Sequence, residues 1–340
     1  MGKVRAGLDV GGAHLKVARA HGGRLDAVQQ IPCRLWMGID QLDAALQNAA
    51  PLLAGTDDVV ITMTGELSDV FPNRMTGVET LVSRLEKEFG SKARFWIGPR
   101  GIGTAQDARR HHRDAGSTNF LATATLIGRI IPEALLIDFG STTADIIPVR
   151  SGAPAVTGLT DAVRQATGEL VYTGYTRTAV MGVTSRAPFQ GQWVTLAREY
   201  LATMADVRRI LGVDLTDFDQ HPTADGKDKS VASSTARLAR MLGRDADEGT
   251  PGEWRTVAAY VREEQVRSIH DGAVQVLSQT GLSEAAPVIA AGIGAEDIAA
   301  VAARLNRKVV SFADLVGAPA GLAAWATACA PAVSLALMTD

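Results

Sequence analysis

The sequence is poor in cysteine, in net charge and in long apolar runs. Its 340 residues hold two cysteines, Cys33 and Cys329, far apart and in neither a CxxC pair nor a metal-ligand cluster. That argues against a disulfide framework or a structural zinc and fits a reducing, cytoplasmic compartment. A formal net charge of -3 gives no general drive toward nucleic acid or an anionic membrane. The amino-terminal segment "MGKVRAGLDVGG" is strand-like at once, with no apolar export segment and cleavage site. The longest apolar stretch, residues 317–340, is alanine-rich and interrupted by Pro331, so a buried terminal helix is expected rather than a membrane span. With 46% hydrophobic and 21% charged residues, the chain belongs with ordinary globular proteins of about two domains.

Within that frame one pattern occurs twice. "GLDVGGAHLKVA" (7–18) and "LIDFGSTTADII" (136–147) each end an apolar strand in an Asp followed by a small-residue turn. The first opens three short strands, "KVRAGLDVGG", "HLKVARAHGG" and "RLDAVQQIPC"; the second opens "EALLIDFGS", "TADIIPVRSG" and "APAVTGL". Between them, "GIDQLDAALQNAAPLLA" and "GVETLVSRLEKEFG" read as helices around the strands "DDVVITMTG" and "ARFWIG". Two matched meanders in α/β alternation predict a duplicated α/β fold, with halves at 1–132 and 133–340. The stretches "QWVTLAREYLATMADVRRILG", "KSVASSTARLARMLGRD" and "EWRTVAAYVREEQVRSIHDGAVQVLSQTG" predict a helical insert at about 185–280, with a long acidic loop at 213–230.

Glycine after a strand-ending Asp lets the backbone approach a ligand, its N–H groups form a concave anion nest, and the carboxylate can hold magnesium or its water. A single such turn also serves a plain hairpin. Two of them, with the small turn "AAGIG" at 290–294, form the three-part pattern of the actin, sugar kinase and Hsp70 ATPase superfamily, and that fold is implied by resemblance.

The stretches "TMTGELSDVFPNRMTGV" (62–78), "IDFGSTTADIIPV" (137–149), "TGYTRTAVMGV" (173–183), "REYLATMADVRRILG" (198–212), "TADGKDK" (223–229) and "TARLARMLGRD" (235–245) resemble a narrower group. They are similar to the hydantoinase/oxoprolinase-like proteins linked to tetrahydromethanopterin and one-carbon transfer, and within these to the synthases of methanofuran and methylofuran biosynthesis. The resemblance implies an alkyl transferase. It would join an aminomethyl-furan-methyl diphosphate to the phenol of tyramine or a γ-glutamyl derivative, forming an aryl ether and releasing diphosphate.

For that reaction Asp9 and Asp138 are expected to hold Mg2+ or its waters. Gly11, Gly12, Gly140, Ser141 and Thr142 are expected to line the diphosphate, with Lys16 as its cation. Glu66 is the first candidate base for the phenol and Asp145 the second. Within the family-like motifs, Arg177 and Arg237 suit a carboxylate or diphosphate, and Asp225 and Lys227 share a glycine-containing loop expected to close over an anion. Gly292 and Gly294 belong to the third turn. Phe71, Met75, Tyr172 and Tyr175 can line an aromatic pocket, and His14 reads as a lone hairpin histidine. The rival reading is an ATP-dependent small-molecule kinase or hydrolase with adenosine at the "AAGIG" turn. The expected partners are small molecules, the furan diphosphate and a phenolic amine, with no nucleic acid and no membrane; a homodimer is compatible with the sequence.

Overall fold

The computed structural model describes residues 2–338; Met1 and residues 339–340, at the outer ends of the two expected halves, lie outside the described residues. Fourteen strands are found among the described residues. Six form the first sheet: β1 (Val4–Val10), β2 (His14–His21), β3 (Arg24–Pro32), β4 (Asp58–Met63), β5 (Ala93–Trp96) and β6 (Ile102–Gly103), in the order β3-β2-β1-β4-β5-β6. The second sheet uses β7 (Ala134–Phe139), β8 (Ala144–Arg150), β9 (Ala153–Pro154) and β10 (Leu170–Val171). A separate hairpin pairs β11 (Arg186–Phe189) with β12 (Gln192–Thr195), and β13 (Val288–Ala291) and β14 (Val309–Ser311) complete the second sheet in the order β10-β8-β7-β13-β14.

The two sheets repeat one plan. In each, an antiparallel meander leads and parallel strands follow, with β4 beside β1 and β13 beside β7. This duplicated α/β plan is the actin/sugar kinase/Hsp70-like fold that the resemblance implies. A buried layer joins the halves, built from Val60 and Ile127 of the first and Leu136 and Ile289 of the second around Val333. The terminal helix Ala330–Leu337 is buried there, as the alanine-rich stretch predicts. It lies so close to β1 that a Cβ on Gly7 would sit 2.0 Å from the Ala332 carbonyl oxygen. No single helix among the described residues is long and apolar enough to cross a membrane; the apolar segments 320–328 and 330–337 meet at 112°.

Two local expectations differ. "APAVTGL" does not continue as a strand: it pairs with β8 for two residues, and β10 takes up the same edge after the helix Asp161–Thr167. "QWVTLAREYLATMADVRRILG" is helical only over Met204–Ile210. Its start is β12, because Gln190 (φ 47) and Gly191 (φ 77) make a tight reversal that pairs Phe189 with Gln192. The long helix Pro251–Thr280 begins on a Thr250/Glu253 capping box and ends at Gly281 in the left-handed region, as its sequence suggests.

Candidate active site

Antiparallel register decides which side chains meet at the first turn. Asp9 of β1 lies directly opposite Lys16 of β2, so both point to one face. Lys16 Nζ is 3.4 Å from Asp9 Oδ2, and Asn119 Nδ2 approaches the same oxygen at 3.4 Å. Asp9 Oδ1 is buried without a hydrogen-bond partner among the described residues. The turn closes when the Gly11 N–H donates to the His14 carbonyl at 2.9 Å; in the second half the Gly140 N–H donates to the Thr143 carbonyl at 2.9 Å. There Asp138 faces Asp145 across the β7–β8 pair. Burial, with Asp145 and Asp9 adding to it, pushes the Asp138 carboxyl up to about 7 against the pull of Lys16. Lys16 is itself held above its usual range by Asp9 and Asp138, which outweigh its burial. One ammonium therefore serves carboxylates from both halves.

Arg177 is delivered to the second turn by the segment before it. The Tyr175 N–H donates to the Gly140 carbonyl at 2.9 Å, the Arg177 N–H to the Ser141 carbonyl at 3.0 Å, and Arg177 Nη1 to Thr142 Oγ1 at 3.1 Å. The third turn leans on the second. Gly294 donates to the Phe139 carbonyl at 2.9 Å, and Gly292 (φ 82) has no room for a Cβ, which would lie 2.3 Å from that same oxygen. A cavity of about 550 Å³ adjoins it, lined in part by Gly292, Glu296, Phe218 and Thr327.

The glycines of the first two turns differ from these. Gly12 and Gly140 lack a positive φ, and a Cβ there would meet only Ser68 Oγ at 3.0 Å and the Thr143 carbonyl oxygen at 3.4 Å. A Cβ would make the Ser68 hydroxyl give a little at Gly12 and would displace almost nothing at Gly140, so the protein itself demands glycine here less than at Gly292.

Other candidates are engaged elsewhere. Glu66 is fully buried; Ser117 Oγ donates to it at 2.6 Å, Arg74 Nε stands 3.6 Å away, and Oε2 has no partner among the described residues. Burial raises its carboxyl, which favours the protonated acid. Asp145 accepts from Arg164 Nη2 at 2.6 Å, and that guanidinium lies 3.6 Å over the Phe120 ring. Arg237 is buried on Asp206 at 2.8 and 2.9 Å, and also donates to Asp225 at 3.0 Å. The Lys227 backbone N–H donates to Asp225 at 3.1 Å, while its side chain is exposed. Asp225 and Arg237, joined by the Lys227 backbone N–H, thus form one cluster that fastens the acidic loop. Of the proposed aromatic lining, Tyr175 packs edge-on against Phe139 at 5.4 Å, Phe71 leans on the first-half core, and Met75 and Tyr172 are exposed.

A group that the sequence does not advertise stands beside the turns. His14 and His221 approach with ring centroids 4.7 Å apart, Trp36 lies 5.7 Å from His221, and the Arg177 guanidinium is 5.3 Å from the Trp36 ring. Burial first, then His221, Lys16 and Arg177, pushes His14 down to about 2; burial and Arg177 lead in pushing His221 down to about 4. Both imidazoles are neutral at pH 7. The one local signal was a histidine inside a long acidic loop.

Residues 57–334 match the hydantoinase/oxoprolinase family. The protein of Methanocaldococcus jannaschii named (4-{4-[2-(gamma-L-glutamylamino)ethyl]phenoxymethyl}furan-2-yl)methanamine synthase is 28% identical over 85% of this chain and 86% of its own length. Its namesake from Methanococcus vannielii is 26% identical over 56% of this chain and 85% of its own. Among solved structures, nucleotide-free acetone carboxylase superposes with a TM-score of 0.54 at 12% identity, covering 99% of this chain and 70% of that one, a likeness of fold alone.

Proposed function

We propose, from the premise that this chain belongs to the hydantoinase/oxoprolinase family, that it is a transferase of furan-cofactor biosynthesis. Its substrates are an aminomethyl-furan-methyl diphosphate and the phenol of tyramine or a γ-glutamyl derivative; its products are an aryl ether and diphosphate. The two relatives named for a phenoxymethyl-furan methanamine support the ether. The observation that carries the diphosphate is the pair of turns at Gly12 and Gly140, where an added Cβ would meet a single atom each, together with an ammonium shared by the two carboxylates that precede them.

Cleavage of the carbon–oxygen bond leaves positive charge on the ring-stabilised methylene and negative charge on the leaving diphosphate, so catalysis asks for anion stabilisation. Lys16, Arg177, the two turn backbones and the Thr142 hydroxyl supply it. Magnesium keeps most of its water and needs only one or two carboxylates. The unpartnered Asp9 Oδ1, with Asp138 near it, fits such an ion, which when bound would neutralise phosphate charge.

The cavity beside Gly292 favours one rival, an ATP-dependent kinase or hydrolase of the same fold. Incubating the purified chain with furan diphosphate and each phenol, without ATP, separates them. Ether of the expected mass with stoichiometric diphosphate supports the transferase; turnover only with ATP and release of ADP retires it.

A further inference from the structure

Neither candidate base of the sequence is placed to take the phenol proton, since Glu66 is sealed in and Asp145 is tied to Arg164, while Asp9 and Asp138 are committed to Lys16 and the cradle. Resting on the transferase reading, we propose that His221 accepts this proton, with His14 positioning its ring and with Trp36 and Arg177 forming the face on which the phenol lies.

The placement comes from the path of loop 213–230. It leaves the second half, and Gln220 Nε2 reaches the Gln30 carbonyl of β3 at 3.3 Å, so His221 arrives on the first half directly beside the first turn. His14 begins β2, immediately after that turn, while Arg177 links Trp36 to Thr142 of the second turn. The phenol slot is therefore next to the diphosphate cradle. In both imidazoles Nε2 is buried with no partner among the described residues. Two orphaned buried nitrogens from opposite halves are costly, and a ligand hydroxyl would satisfy one of them.

The charged and titratable groups facing His221 are His14, Arg177 and Arg34 from other elements, and Asp219 and Lys229 from its own loop. Burial first, with Arg177 next and Arg34 and Lys229 adding to it against Asp219, keeps the imidazole neutral and able to accept. A weak base suffices here. As the methylene gains positive charge, the phenol oxygen forms its carbon–oxygen bond, and its proton becomes far more acidic than that of a free phenol near ~10. The proton passes to His221 Nε2, while the bond between carbon and diphosphate breaks with its electron pair leaving on the diphosphate. Charge and atoms balance without a further reactant.

The test uses the full chain, furan diphosphate and a series of ring-fluorinated tyramines whose phenol pKa falls stepwise. His221→Ala and His221→Gln, each first shown by thermal melting to be folded, should lose roughly a hundredfold or more in ether formation with tyramine. KM for the furan diphosphate should stay nearly unchanged, and diphosphate release should continue with water capturing the furan to give its alcohol. The deficit should shrink as the phenol becomes more acidic, because such phenols need less help from a base. A deficit equal for every phenol, or wild-type ether formation in either variant, overturns the assignment. No ether from wild type with any phenol would overturn the transferase reading itself, and the base assignment with it.

Discussion

Asp138 is placed where a carboxylate is least comfortable, opposite Asp145 and within reach of Asp9. Its carboxyl rises from 3.8 to about 7, burial being the largest cause. The folded chain therefore binds more protons than the unfolded one between those values, and stability falls as pH rises through that window and levels off above it. Asp138→Asn removes the penalty. Urea denaturation in EDTA should find this variant more stable than wild type at pH 8, with the difference gone by about pH 4. The same change should lower ether formation by roughly a hundredfold, since it strips charge from the cradle. A variant less stable than wild type at pH 8 would contradict the electrostatic account. Asp9, Lys16 and Asp138 were legible in the sequence because a strand-ending Asp, a short turn and antiparallel register fix their neighbours locally. His221 and Trp36 were not, since their meeting with His14 depends on where a long loop travels.

Loop 213–230 is an element built from charge rather than from backbone pairing. Arg209 and Lys229 hold Asp219, Arg237 holds Asp206 and Asp225, and Gln220 reaches across to β3. The sequence predicts a loop that closes over an anion; the structure adds internal ion pairs that no spacing rule reveals. Arg237→Ala leaves buried Asp206 with Arg209 as its one cation and Thr203 as its neutral donor, and should cost about 3–5 kcal/mol, the scale of breaking a buried pair. Asp225 is about a quarter exposed, so Asp225→Ala should cost no more than about 1 kcal/mol. Hydrogen exchange should show loop 213–230 losing protection in the first variant and keeping most of it in the second. Equal protection in both would mean that the charge cluster does not hold the loop.

At the scale of the molecule, the duplication was readable because strand, acidic turn and strand recur with the same polarity pattern. The helix Asn119–Ile130 and the burial of Ala330–Leu337 against β1 complete the layer between the sheets. The first of these escaped the sequence reading, since a short apolar run buried along most of its length cannot be told from a buried strand by pattern alone. The two-sheet plan also sets what the cleft can recognise. The phosphate end proposed for it draws on both halves, through Gly12, Lys16, Gly140 and Arg177, whereas the cavity at Gly292 belongs to the second half and adjoins the acids Asp214 and Glu296. Binding that is confined to the folded form raises the melting temperature by mass action. Inorganic diphosphate with magnesium should therefore stabilise the chain at least as much as ATP with magnesium, because the shared end of the cleft supplies most of the contact. Replacing Lys16 by Met should abolish the diphosphate shift and most of the ATP shift together. Thermal melts of both proteins with each ligand check this. A larger ATP shift that survives in Lys16→Met would place the main affinity in the cavity at Gly292 and turn the argument toward the kinase.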